Sequence, residues 1–190
     1  MIALKNTSDI VEKKKNTPPR IKPKVLRGDA RRLKGVDDAS IDVIITSPPY
    51  WRKRDYGHKK QLGQEKTPQE YIEAVVGAME AWKRVLRPTA SVFVNIGDTY
   101  RNKQLANIPT RLELAACDAG WRLAHRIIWA KDYGMPESKS FRLASRNEFI
   151  LHFTLTKDFY IDLFAYSEKY GNGANPGDVW KVRHTRSQQD

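Results

Sequence analysis

An apolar run, Ile41–Thr46, is followed at once by Ser47-Pro48-Pro49-Tyr50. Such a run predicts a buried strand that is apolar on both faces, as in the middle of a parallel sheet. Proline has no backbone N–H and a fixed φ, so the two prolines must end the strand. The chain therefore presents free, rigidly held carbonyl groups, a hydroxyl and an aromatic ring at a strand's carboxyl end, where open α/β sheets place their ligands.

Two simpler interpretations of this tetrapeptide exist. Ser-Pro-Pro could merely stop a strand, and Pro-Pro-Tyr could be a polyproline ligand for another domain. The first leaves Tyr50-Trp51 and the basic segment after it unexplained, and the second requires an exposed, disordered setting. We therefore interpret residues 47–50 as a site that grips an amino group on a flat, stacked base.

Strand and helix patterns alternate along the chain, which predicts an α/β fold with a mostly parallel sheet flanked by helices. Thr67, Pro68 and Glu70 are typical of a helix start, and Pro88 is expected to end that helix. Cys117 is expected to be a buried small residue of a second helix, 108–119. The predicted strands are residues 25–29, 41–46, 91–98, 125–131 and 147–154.

The chain of 190 residues carries 34 Lys and Arg against 22 Asp and Glu, a formal charge of +12. This excess favours a nucleic-acid partner, although part of it lies in residues 1–24, which we expect to be a basic, flexible tail. Residues 25–166 form the predicted domain, and residues 167–190 are expected to be an extended polar segment. No apolar stretch suits a membrane span or a signal peptide, which predicts a cytoplasmic protein. A single cysteine and four histidines without ligand spacing predict no metal.

Six blocks of residues resemble the amino-methylating DNA methyltransferases, in the subgroup whose catalytic part precedes the cofactor-binding part. One block alone would be weak evidence, whereas six in the family's order are specific. The resemblance covers roughly residues 25–180. The blocks are Gly28-Asp29, Thr46-Ser47-Pro48-Pro49-Tyr50-Trp51, Arg54-Asp55-Tyr56-Gly57, Asn95-Ile96-Gly97-Asp98, Ile127-Ile128-Trp129-Ala130-Lys131 with Pro136, and Pro176-Gly177-Asp178-Val179-Trp180.

The resemblance implies part of a Rossmann-like S-adenosylmethionine methyltransferase fold that methylates an exocyclic amine of a base flipped from double-stranded DNA. Ser47, Pro48, Pro49 and Tyr50 are the implied catalytic residues. The Pro48 carbonyl and the Ser47 hydroxyl would accept the amine protons, and Tyr50 would stack on the base. Asp29 and Ser47 are the implied cofactor-binding residues, although Asp29 fits the role of a turn residue equally well.

The serine form of the motif is more typical of cytosine-N4 enzymes than of adenine-N6 enzymes, so N4 is favoured and N6 stays open. Carbon-5 methylation needs a cysteine nucleophile, typically after proline, whereas Cys117 follows Ala116 in a helical pattern. A basic loop and one lysine are expected to contact DNA or the base. The alternatives are a solvated loop, and core packing for the tryptophan. These residues are Trp51, Arg52, Lys53, Arg54, Tyr56 and Lys131.

One family feature is missing from the sequence. The Phe-x-Gly-x-Gly loop that holds most of the S-adenosylmethionine is not found before Asp190. We therefore expect an incomplete cofactor site, completed by a second polypeptide, in a prokaryotic or phage-encoded protein. The alternatives are a truncated, inactive remnant and a non-catalytic DNA-binding or assembly subunit.

Overall fold

A computed structural model describes residues 22–132, 138–170 and 173–182, so most of the predicted tail lies outside the described residues. None of the helices in these ranges is long and apolar enough to cross a membrane. The helices are α1 (Pro68–Lys83), α2 (Ile108–Asp118) and α3 (Leu163–Tyr170). The strands are β1 (Ile41–Thr46), β2 (Leu86–Ile96), β3 (Tyr100–Arg101), β4 (Gln104–Leu105), β5 (Arg122–Ala130), β6 (Asn147–Thr154) and β7 (Val179–Lys181).

Five strands form one sheet in the order β1-β2-β6-β5-β7, and β3 and β4 form a separate hairpin. The predicted α/β class with helices beside a sheet is confirmed. Four of these five strands run in the same direction, which agrees with the mostly parallel sheet predicted, and β6 runs antiparallel to both of its neighbours, β2 and β5. Parallel neighbours need a crossover, usually helical, and the described residues between β5 and β6 contain no helix. The chain therefore turns back, and β6 enters the sheet between β2 and β5.

Helix α1 begins where the sequence predicts. The Thr67 hydroxyl accepts a hydrogen bond from the Glu70 N–H at 3.1 Å, and the Glu70 carboxylate accepts one from the Lys66 N–H at 2.9 Å. The helix ends at Lys83 instead of reaching Pro88, which lies within β2. The register between β1 and β2 shifts around this proline, and such an irregularity tolerates a residue without an N–H.

The hydrophobic core lies between the sheet and helices α1 and α2. It is built from the inward stripes of both helices and from alternate residues of β2 and β6. Cys117 is exposed, which corrects the prediction that it is buried, because the buried stripe of α2 passes through Ile108, Leu112 and Ala116. The principal core residues are Tyr71, Ile72, Val75, Met79, Val92, Val94, Ile96, Ile108, Leu112, Ala116, Leu151 and Phe153.

Strand β1 lies at the edge of the sheet, not in its middle. Residues 25–29 form no strand, so the prediction of a strand there is wrong, and nothing in the described chain covers the outer side of β1. Val43 and Ile45 project from the face of β1 opposite α1 and α2, where they are 50% and 80% exposed. Ile41 and Ile44 pack against the core, whereas the apolar character of Val43 and Ile45 does not reflect burial within the described residues.

The segment predicted as extended, 167–190, contains secondary structure at its start and near its middle. Helix α3 includes residues 163–170, and β7 pairs in parallel with β5, with Trp180 opposite Trp129. Both elements are too short to give a periodic signal in the sequence. The sheet therefore extends beyond the predicted domain boundary.

His152 is buried on the sheet face opposite α1 and α2, where it is 2% exposed. Its ring stacks on Phe93 with centroids 4.3 Å apart, and its Nε2 lies 2.9 Å from the Ser91 hydroxyl. Its Nδ1 lies 2.9 Å from Nδ1 of His125. Burial, with a smaller contribution from His125, lowers the pKa of His152 from 6.5 to about 4.

This buried imidazole predicts a pH-dependent stability. Between pH 6.5 and pH 4 the unfolded chain binds a proton at His152 that the native state excludes, so stability falls as the pH drops through that window. We expect the wild type to lose about 2 kcal/mol more than His152→Gln between neutral pH and pH 4.5 in urea unfolding, allowing for incomplete desolvation. Equal losses in the two proteins would contradict the assignment.

Candidate active site

Four side chains meet at one end of the sheet because of the directions in which the strands run. This end holds the carboxyl ends of the parallel strands β1, β2 and β5, and the amino end of the antiparallel strand β6. Tyr50 follows β1, Asn95 is near the end of β2, Lys131 follows β5 and Glu148 begins β6. Ligands of open α/β sheets bind at this end, beside the carboxyl ends of the parallel strands.

The Tyr50 hydroxyl is the centre of a polar network. It donates a hydrogen bond to Oε2 of Glu148 at 2.6 Å and accepts one from Nδ2 of Asn95 at 2.9 Å. Asn95 Nδ2 also lies 2.9 Å from Oε2 of Glu148, and the other carboxylate oxygen forms an ion pair with Lys131. The network fixes the outer end of the Tyr50 ring, so the ring cannot swing away from the sheet edge.

The electrostatics of the network keep Glu148 ionised. Burial alone would raise the pKa of Glu148, but hydrogen bonds from Lys131, Tyr50 and Asn95 outweigh burial and leave that pKa below its usual value. Burial and the neighbouring carboxylate together raise the pKa of Tyr50. Tyr50 is therefore a neutral phenol that donates to a carboxylate, and it has no role as a base.

Two glycines allow the motif to approach the sheet and the following loop. A Cβ on Gly97 would lie 3.0 Å from Cε2 of Tyr50. A Cβ on Gly63 would lie 3.1 Å from the carbonyl oxygens of both Pro49 and Tyr50, and Gly63 has a φ of +96°, which favours glycine. Gly63 is thus restricted to glycine by both its backbone conformation and its packing, and at Gly97 a larger side chain requires the Tyr50 ring to shift.

The two proline carbonyls differ in their surroundings. The Pro49 carbonyl accepts a hydrogen bond from the Tyr71 hydroxyl at 3.0 Å, so the expectation that both carbonyls are free is wrong for Pro49. No described residue donates a hydrogen bond to the Pro48 carbonyl. The Ser47 hydroxyl is exposed and lies 3.4 Å from the Tyr50 hydroxyl. Ser47 and Pro48 are therefore the members of the motif with acceptors available to a ligand.

A cleft of about 620 Å³ lies on one side of the motif and brings the two predicted cofactor-binding residues, Asp29 and Ser47, together. The Asp29 carboxylate is held by Arg31 through paired contacts of 2.9 and 2.8 Å, and these hydrogen bonds lower the pKa of Asp29 to about 2. Its carbonyl also accepts a turn hydrogen bond from the Arg32 N–H at 2.9 Å. Asp29 thus occupies a turn and lines the cleft.

A second cleft, of about 1210 Å³, lies on the other side of the motif. Ser47, Pro48 and Tyr56 line both clefts. The second cleft also contains Tyr50 and several residues that the sequence predicts to contact DNA or the base. These are Lys53, Arg54, Tyr56 and Lys131.

Two of the predicted contact residues lie elsewhere. Trp51 is 6% exposed, and its Nε1 donates to the Glu65 carbonyl at 3.1 Å, which places it in the core. Arg52 is directed to the same carbonyl, at 3.0 Å from its Nε. Trp51 therefore packs in the core, which was the alternative interpretation of this residue. Arg52 stabilises the loop between β1 and α1.

Sequence reasoning missed Glu148 and assigned no role to Asn95. Glu148 stands at the start of a predicted strand, but the mostly parallel sheet expected from the sequence would place its amino end at the opposite edge. Asn95 belongs to one of the six blocks that resemble the family, but the sequence does not indicate which residue its side chain contacts. Asn95 reaches Tyr50 because β2 runs parallel to β1, whereas Glu148 reaches it because β6 runs in the opposite direction.

Residues 41–190 match the protein family described as DNA methylase, which comprises N6 and N4 methyltransferases. Type II methyltransferase M.MwoI of Methanothermobacter wolfeii is 42% identical over 170 residues, which cover 87% of this chain and 25% of that protein. M.Cfr9I of Citrobacter freundii is 32% identical over 190 residues, covering 83% of this chain and 63% of that protein. The chain thus spans less than two thirds of the length of either relative.

Solved structures share the fold. PvuII DNA methyltransferase (cytosine-N4-specific) superposes with a TM-score of 0.67 at 20% identity, covering 84% of this chain and 57% of that chain. The protein TTHA0409 of Thermus thermophilus, in complex with S-adenosyl-L-methionine, gives a TM-score of 0.58 at 19% identity. The match covers 81% of this chain and 66% of that chain. With a family match over more than half of its length, the chain belongs to the DNA methylase family of N6 and N4 methyltransferases.

Proposed function

We propose that this chain is the catalytic-motif part of a DNA methyltransferase that transfers a methyl group from S-adenosylmethionine to an exocyclic amine of a flipped base. The observation that carries the proposal is the position of Ser47 and Pro48 between two clefts. One cleft contains the predicted cofactor residue Asp29, and the other contains the Tyr50 ring and the basic loop. A methyl donor and an acceptor amine bound in these clefts meet at the motif.

The smaller cleft fits a part of the cofactor. Its lining combines the carboxylate of Asp29 and the hydroxyl of Ser47 with the apolar surfaces of Val75 and Trp82. These groups suit the hydroxyl, cationic and aromatic parts of S-adenosylmethionine, although Arg31 already neutralises Asp29. When bound, the cofactor supplies an electrophilic methyl group on a sulfonium. We infer that Asp29 and Ser47 hold it only in part and that another polypeptide completes the site.

The residues of the motif act on the acceptor amine. The lone pair of an exocyclic amine is delocalised into the base, which makes the nitrogen a poor nucleophile. Accepting both amine protons, at the Ser47 hydroxyl oxygen and the Pro48 carbonyl, localises that lone pair and directs it outward. The Tyr50 ring, fixed by Glu148 and Asn95, provides the stacking surface for the base. Cytosine N4 is the favoured acceptor because the motif has a serine in its first position.

The exposed edge of the sheet is the place where we expect the missing cofactor-binding part to pair. A long apolar edge strand with unpaired backbone groups is a template for another strand. The edge strand β1 also carries the exposed side chains of Val43 and Ile45 on one face, and it leads directly into the catalytic motif. A strand added here ends beside the Asp29–Ser47 cleft. We propose that a second polypeptide supplies it.

Methyl transfer provides the direct test of the proposed function. With labelled S-adenosylmethionine and duplex DNA, we expect no transfer by the 190-residue chain alone and transfer when the product of a neighbouring reading frame is added. In the active mixture, Ser47→Ala and Tyr50→Ala should each reduce the rate by about 100-fold, as for other preorganised contacts to a reacting group. Tyr50→Phe, which keeps the ring and loses the network, should be less impaired than Tyr50→Ala. Nucleoside analysis of the product distinguishes N4-methylcytosine from N6-methyladenine.

Efficient transfer by the chain alone would refute the incomplete cofactor site. Unchanged rates in both alanine variants would refute the roles given to the motif. Binding of duplex DNA with no transfer in any reconstituted mixture would instead favour the non-catalytic subunit.

The glycine at position 97 provides an independent test of the Tyr50 geometry. Gly97→Ala places a methyl group against the Tyr50 ring, whereas Gly77→Ala on α1 meets nothing within 4 Å. We expect Gly97→Ala to lower methyl transfer by roughly threefold to tenfold, since the Tyr50 ring must shift by a few tenths of an ångström, and a shift of about 1 Å at a reacting centre can cost about 100-fold. Gly77→Ala should retain wild-type activity and be slightly more stable. Equal activity of the two variants would show that the ring position is unimportant.

The edge of β1 can be tested separately from the chemistry. Ile45→Lys places a charge on the exposed face of the edge strand β1 and should abolish co-purification with the second polypeptide, and with it methyl transfer. Leu114→Lys changes another exposed apolar residue, 64% accessible on α2, and should leave both unaffected. Assembly that survives Ile45→Lys would exclude β1 as the pairing edge.

A further inference from the structure

The larger cleft has a wall that the proposed methyl transfer does not use. It is formed by the hairpin β3–β4, residues 100–105, and by the loop 138–146 that precedes β6. In this loop, Leu143 is 93% exposed and Phe141 is 49% exposed, although both are large and apolar. We call residues 100–105 and 138–146 the rim of the cleft. Tyr50 lies in the same cleft.

Contacts between aromatic rings and cations tie the two parts of the rim together. The rings of Tyr100 and Phe141 are 6.1 Å apart, the Arg142 guanidinium lies 5.2 Å from the Tyr100 ring, and Lys103 Nζ lies 5.6 Å from the Phe141 ring. Such contacts are worth about 0.5–1 kcal/mol each at exposed sites. The loop is therefore anchored to the hairpin beside Leu143, and the leucine projects from a supported base.

The charge of the rim indicates what it meets. Residues 100–105 and 138–146 contain Arg101, Lys103, Lys139, Arg142 and Arg146, and no Asp or Glu. A surface built from segments that carry a net positive charge fits a phosphate backbone. An apolar side chain exposed among such cations resembles the wedges that DNA-bending proteins insert between base steps.

Removing a base from a duplex leaves a gap in the stack, and opening that gap costs a few kcal/mol. We propose that Leu143 enters the gap left by the base that the Tyr50 cleft receives, while the cations of the rim hold the flanking phosphates. This inference rests on the proposed function, since it assumes a flipped base. Leucine suits the position because burial between bases removes its exposed apolar surface from water. Tyr50 would then stack on the flipped base while Leu143 replaces that base in the helix.

A duplex with one abasic site tests the wedge without knowledge of the recognised sequence. The probes are two labelled duplexes of about 20 base pairs, roughly two helical turns, identical except for one abasic position opposite guanine. Binding of the full chain is measured by fluorescence anisotropy at low ionic strength. We expect the wild type to bind the abasic duplex more tightly than the intact one. Leu143→Ala should weaken binding to the abasic duplex by about tenfold and leave binding to the intact duplex unchanged, because its phosphate contacts remain.

Leu114→Ala is the matched control, since Leu114 is exposed on α2 and does not line the cleft. It should keep the wild-type preference for the abasic duplex. A wild type without this preference, or a Leu143→Ala variant that retains it, would overturn the inference. If Leu143 instead contacts the second polypeptide, Leu143→Ala will weaken that assembly and retain the preference. No cofactor is present in this assay, so failure of methyl transfer with an intact abasic preference would count against the proposed function alone.

Discussion

The hydrogen bond from the Tyr50 hydroxyl to Glu148 is the contact on which the arrangement of the site depends. It joins a loop after β1 to the start of β6, 98 residues later in the chain, at 2.6 Å. The prolines before Tyr50 set the direction of the backbone, and Gly97 leaves room for the ring. Lys131 keeps Glu148 charged, so the hydrogen bond is of the stronger, charge-assisted kind. The ring position is thus fixed from three strands at once.

The reversed strand is what makes this contact possible. Strand β6 has eight residues, so its two ends are about 23 Å apart at 3.3 Å per residue. If β6 ran parallel to β2, Glu148 would lie at the opposite end of the sheet, well beyond the reach of Tyr50. The antiparallel insertion between β2 and β5 therefore shapes the candidate site, because it brings an acidic residue to the end of the sheet where β1, β2 and β5 have their carboxyl ends.

Local sequence signals predicted which segments form helices and strands better than they predicted how those strands are arranged in the sheet. The strand 41–46, the start of α1 and the strand 147–154 agree with the structure because each has a strong local pattern or cap. The direction of β6 and the edge position of β1 depend on contacts between distant segments, which periodicity does not record. Of the site, the resemblance named Ser47 and Pro48, which line both clefts, and Tyr50, which lines the larger one. Glu148 was missed for the same reason as the strand direction, and Trp51 packs in the core because its indole finds a partner there.

The exposed apolar residues of this chain belong to two classes that differ in their surroundings. Ile45 lies on a sheet edge whose backbone groups face outward, and such an edge is satisfied by another strand. Leu143 lies on a loop among positively charged side chains. This loop is not a strand with which another strand can pair, and the neighbouring charges attract phosphates. Exposure alone therefore does not identify a partner. The polar groups around each apolar side chain are more informative, and from them we infer a protein partner for the edge strand and a DNA partner for the rim.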